Sequence, residues 1–162
     1  MGFDAVFDYS IPYFHPLVVH FPLVLLLLAS GAAVAYAIGG TAVWRRVLLI
    51  LLALGALTAI VAERTGEALE ESMEGTPIVD ELAEFHETAA HWTVRTSFLA
   101  LFVGIVVTIW WRRRQSSHTV AESTPTPSEP LWMRLVLLVL AGIVAALVAY
   151  TAHVGAVMVW GV

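Results

Sequence analysis

The sequence predicts an all-α integral membrane protein: a four-helix bundle with its N- and C-termini on the outer, periplasmic side. Three observations carry this. Of its 162 residues, 59% are hydrophobic and only 13% charged, and mean hydropathy is +0.84, well above the apolar share of a soluble domain. Four apolar stretches, at about 16–38, 43–62, 90–111 and 131–160, each reach the roughly 20 residues that cross a hydrocarbon core of about 30 Å. Charge is also segregated, because the chain has no lysine and six of its eight arginines fall on one side of the spans.

Taken in order, the first span follows a segment, Met1 to Tyr13, that carries Asp4 and Asp8 and no Lys or Arg. That does not fit the basic leader of a cleaved signal peptide. Arg45 and Arg46 lie between spans one and two, Arg112, Arg113 and Arg114 follow span three, and Arg134 opens span four. By the positive-inside rule these mark the cytoplasmic face, which places the protein in the bacterial inner membrane. Trp44, Trp110, Trp111 and Trp132 belong to the inner aromatic belt, Trp92 and Trp160 to the outer one. The connection 63–89 is an acidic outer loop holding nine carboxylates against Arg64 alone. Within it, Thr76-Pro77 reads as a helix start, with Ile78, Leu82, Phe85 and Ala89 on one face of an amphipathic helix. This helix either runs into span three or folds onto the mouth of the bundle. Residues 115–130, rich in Ser, Thr and Pro, form a cytoplasmic linker whose His118 is a solvated loop residue.

The net charge of −5 therefore reflects the outer loop, and no basic patch has the interleaved aromatics of a nucleic-acid binder. With no cysteine, disulfides, iron–sulfur ligation and covalent haem attachment are excluded. No nucleophile–base pair, phosphate loop or metalloprotease motif is present.

The informative residues are histidines. Five of six lie at the outer ends of the spans: His15 and His20 open span one, His86 and His91 open span three, and His153 lies late in span four. An imidazole at such a depth points to a cavity, a ligand or a metal. Positions five apart on a helix differ by about 140°, so the members of each pair cannot face one point unless Pro22 opens the turn near His20. By depth, His20, His91 and His153 share a layer, with His15 and His86 slightly further out. The expected first pair of axial ligands is His20 with His91, and His153 is the reserve. Gly142, Ala146 and Ala149 lead along span four to His153 as a face that permits either close helix contact or the approach of a flat macrocycle. Arg95 requires an anion, supplied by a haem propionate, Glu63 or Glu67, while Glu87 orients an imidazole. The spacing of the two histidine pairs also suggests a duplicated two-helix unit.

The opening His15-Pro16-Leu-Val-Val-His20-Phe21-Pro22, the run His86-Glu-Thr-Ala-Ala-His91 and the closing segment from His153 to Val162 together resemble the family catalogued as domain of unknown function 2231. Where that family has a double glycine, this chain has Gly155-Ala156. The resemblance implies a small four-span bacterial membrane protein, similar in layout to b-type cytochrome bundles and suspected of binding haem b. His15, His20, His91 and His153 match its histidine pattern, His86 less clearly. The leading expectation is electron transfer, between quinone and an external cytochrome or within a respiratory complex, rather than a stand-alone enzyme. The alternatives are a transition-metal binding or transport protein, with Glu87 and Met158 as further ligands, and a structural subunit without a cofactor.

Overall fold

The computed structural model describes residues 13–73, 75–116 and 129–160. The expectations for His118 and for the residues before Tyr13 fall outside these. Among the described residues there are five helices and no strand: α1 His15–Val18, α2 His20–Gly39, α3 Ala42–Ser72, α4 Pro77–Ser116 and α5 Leu131–Trp160. α1 and α2 together, and α3, α4 and α5 singly, are each long and apolar enough to cross a membrane.

The interruption between α1 and α2 has a covalent cause. Pro22 has no N–H to offer the Val18 carbonyl, so the helical ladder breaks one turn earlier, although Val19 keeps helical dihedrals. At its other end α2 closes on Gly40 at φ 60°, whose N–H donates to the Tyr36 carbonyl at 2.8 Å. A side chain is strained in that left-handed conformation. Thr41 then returns to extended backbone and α3 begins at once, so the first hairpin is tight.

The acidic connection is helical nearly throughout. α3 runs on to Ser72 and α4 starts at Pro77, with the Thr76 carbonyl accepting from Val79 and Asp80 at 2.9 Å. The amphipathic stretch thus continues unbroken into the third span. At about 1.5 Å per residue, the 40 residues of α4 far exceed the membrane core, so α3 and α4 project beyond the bundle as an acidic hairpin.

α2 packs against α3 and α5, and α4 packs against the same two, which gives a ring of antiparallel neighbours. The core is built from Leu26, Ala29, Ala33, Tyr36, Leu48, Leu52, Ala100, Leu137, Ala141 and Val144, with Phe102 and Val139 on the periphery. Small inward side chains let helix backbones approach where lipid removes the usual hydrophobic drive.

Both hairpins bury the same register. On the first helices five of the six buried positions of α2, all but Ala32, have a buried counterpart on α4 at a constant sequence offset: Pro22 and Thr93, Leu26 and Ser97, Ala29 and Ala100, Ala33 and Gly104, Tyr36 and Val107. On the second helices Leu48 and Leu137, Leu52 and Ala141, Gly55 and Val144, and Ala59 and Val148 correspond likewise. The same offsets pair His15 with His86, His20 with His91, Arg45 with Arg134, and Gly66 with Gly155. The histidine echo is therefore part of a repeat in the packing, with the two hairpins related by an axis along the bundle.

Candidate functional site: an imidazole pair at the open end of the bundle

The two imidazoles that the fold brings together are His15 and His86. Their ring centres are 6.4 Å apart and their planes cross at 81°. His15 stands at the start of α1 and leans across to α3, where its Nδ1 is 2.9 Å from the Ala62 carbonyl and 3.3 Å from Thr65 Oγ1. A carbonyl only accepts, so Nδ1 carries the hydrogen and the Nε2 lone pair stays free. His86, on α4, leans across to α5 and interacts with the Thr151 backbone. Its buried Nδ1 closes no well-formed hydrogen bond. Ala62 and Thr151 are themselves repeat partners, so each ring meets the corresponding backbone position of its own hairpin.

Glycine makes both approaches possible. A Cβ on Gly66 would sit 2.9 Å from His15 Cε1, and one on Gly155 would sit 3.0 Å from His86 Cε1. A side chain at either position would crowd the imidazole and force it to shift. His15 Nε2 makes no hydrogen bond among the described residues.

The other expected site residues lie elsewhere. His20 is exposed, because the break at Pro22 leaves α2 helical from His20 onward and its side chain stays on the outer surface rather than bending inward. His153 is exposed as well, together with Gly142, Ala146 and Ala149; the slot read along span four faces away from the core. His91 is half-buried, and its Nε2 lies 2.7 Å from Glu63 Oε1 across the α3–α4 contact. Glu63, not the exposed Glu87, is thus the carboxylate that orients an imidazole. Arg95 is exposed on α4, its guanidinium 5.6 Å from the centre of the Trp92 ring. Its two expected carboxylates are engaged elsewhere, Glu63 with His91 and Glu67 with Arg64. The structure therefore joins His15 to His86 and does not join His20 to His91.

Among the described residues no three His, Cys, Asp or Glu side chains converge as a metal site. What the pair offers is two donors from opposite hairpins. With metal–nitrogen bonds of about 2.0–2.1 Å, two imidazoles that shared one ion would have ring centres no more than roughly 6 Å apart. The 6.4 Å separation of His15 and His86 is of that order, and for His15 the bonding of Nδ1 to the Ala62 carbonyl is the usual support of a metal-binding imidazole.

A family model described as Predicted membrane protein (DUF2231) matches residues 12–162. The chain belongs to that family. The match includes all five clustered histidines and both glycines that seat the imidazoles. No curated protein and no solved structure matches the chain. Membership of DUF2231 and the four spanning helices together make it a multi-pass membrane protein.

The opposite end of this DUF2231 bundle carries a second polar cluster. Tyr36 donates to Glu129 Oε2 at 2.5 Å, and Arg45 NH1 is 2.6 Å from Glu129 Oε1. Arg45 is 2% exposed and Glu129 6%, so this is a buried ion pair. The Glu129 N–H also donates to the Gly40 carbonyl at 3.2 Å, and Arg134 NH1 donates to the Ala37 carbonyl at 3.0 Å. Together these tie the end of the 115–130 segment to the α2–α3 turn. At its other end that segment is helical, since α4 continues through Ser116. Arg45, read as an interfacial charge, lies inside the protein because a carboxylate and a phenol meet it there. The one local sequence signal was an acid directly before the Pro130 that precedes α5; nothing local connects it to Tyr36 or Arg45.

Proposed function

We propose that this is a b-type haem protein of the bacterial inner membrane in which His15 and His86 would hold the iron. The observation that supports the reading is the imidazole pair itself: two rings from opposite hairpins, 6.4 Å between centres, with no third ligating side chain beside them among the described residues. A bare zinc or similar ion takes about four ligands in a structural site. Haem iron brings four of its own and asks the protein for two. The arrangement therefore favours haem over a naked ion.

When bound, such a haem is a reversible one-electron carrier. The chain's own contribution is positional. Ala62 holds His15 in the tautomer that leaves Nε2 free to bind metal, Gly66 and Gly155 admit the rings close to the helix backbones, and the repeat supplies one ligand per hairpin. With arginines on the cytoplasmic face, the pair lies at the periplasmic end, beside the acidic hairpin. That location suits exchange with quinol or an external cytochrome, in a respiratory complex or alone, as expected of an electron carrier.

The test is a reduced-minus-oxidised spectrum of protein purified in detergent from cells supplied with haem. His15→Ala and His86→Ala should each abolish the low-spin b-type α-band, while His20→Ala and His153→Ala retain it. A colourless wild-type protein, or an α-band lost in His20→Ala but kept in His86→Ala, overturns the assignment.

A further inference from the structure

A groove of about 310 Å³ runs between α4 and α5, lined by Trp92, Arg95, Thr96, Leu99, Ile143 and Leu147. It lies on the outside of the bundle, and its one cationic group is Arg95. By the repeat, Arg95 stands where the first hairpin has Val24, which is 52% exposed; Arg95 therefore replaces an apolar residue at a lipid-facing position. Counting 1.5 Å per residue from Trp110, it lies about 22 Å along α4 from the arginine-rich end, inside a hydrocarbon core of about 30 Å. An unpaired cation there is costly.

Arg95 has no carboxylate partner among the described residues, since Glu63 and Glu67 are engaged elsewhere. Thr96 supplies no counter-group either, because its hydroxyl donates to the Trp92 carbonyl. The guanidinium packs over Trp92 instead, which is one turn closer to the membrane surface and 54% exposed. A long cationic side chain that leans along an aromatic towards the headgroups meets phosphate there.

We propose that this groove binds one anionic phospholipid, its phosphodiester on the Arg95 guanidinium and an acyl chain along Leu99, Ile143 and Leu147. The shape and charge complement each other: an apolar trough for the chain, and at its end a planar donor suited to two parallel hydrogen bonds from phosphate oxygens. The assignment does not depend on haem.

Full-length protein in a neutral detergent, titrated with phosphatidylglycerol and followed by native mass spectrometry, tests it. One lipid per chain should bind the wild type. Arg95→Gln should bind it about tenfold more weakly, as should Leu147→Trp, which fills the groove, whereas Val24→Gln on the other hairpin should leave it unchanged. Phosphatidylcholine should bind more weakly than phosphatidylglycerol. Folding of each variant is checked by helix content in a dodecyl sulfate titration. Undiminished binding in folded Arg95→Gln, or equal affinity for the two lipids, overturns the proposal. So does loss of haem from Arg95→Gln with lipid binding intact, which would assign the guanidinium to a propionate.

Discussion

Replacing Glu129 by glutamine isolates one charge at the arginine end. The amide still accepts from Tyr36, but Arg45, 2% exposed and 2.6 Å from the carboxylate, keeps its charge without a counter-ion. Breaking a buried pair from one side costs about 3–5 kcal/mol, because the remaining ion is desolvated and uncompensated. Arg45 Nε already lacks a hydrogen-bond partner, so little in the surroundings can take up the charge. Tyr36→Phe removes one hydrogen bond to a charged acceptor, about 1.5–3 kcal/mol, and leaves the ion pair. The double variant Arg45→Met, Glu129→Met removes both charges and should be less destabilised than either single charge deletion, Glu129→Gln or Arg45→Met. Unfolding in dodecyl sulfate, followed by helical circular dichroism, gives all four values. Glu129→Gln within about 1 kcal/mol of wild type would put the pair in the range of exposed salt bridges and refute the buried lock.

Three further outcomes follow. Gly155→Val and Gly66→Val place branched side chains where a Cβ alone would lie 3.0 and 2.9 Å from an imidazole; each should lower haem occupancy at least about tenfold, a loss of about 1.4 kcal/mol, with the helices intact, as read by absorbance per protein and circular dichroism. Glu63→Gln converts a charge-assisted contact at 2.7 Å into a neutral one and, with His91 half-exposed, should cost no more than about 1.5 kcal/mol and leave the α-band in place. Because the chain has no cysteine, Ser72→Cys and Gln115→Cys report orientation directly: an impermeant maleimide should label Ser72→Cys in intact spheroplasts and Gln115→Cys only after lysis, and the reverse pattern would invert the assigned topology.

The family of this protein, its helical class and the end of the bundle where the histidines gather were legible in the sequence. Each rests on something local: hydropathy over a window the length of a bilayer, arginine counts between windows, and imidazoles at window edges. Even the repeat announced itself in the two histidine pairs, although its continuation through Arg45 and Arg134 and through Gly66 and Gly155 needed the packing to expose it. What a window cannot contain is azimuth and partnership. His15 faces inward because the chain breaks at Pro22 and the short α1 leans on α3; His20, five residues on, follows α2 and stays outside. His153 continues an exposed face of α5, so its depth matched its neighbours while its direction did not. Glu129 meets Tyr36 and Arg45 because the second hairpin closes against the first, a contact between residues more than eighty positions apart. Helix rotation and long-range closure are set by how four surfaces interlock, and only the tertiary structure decides that.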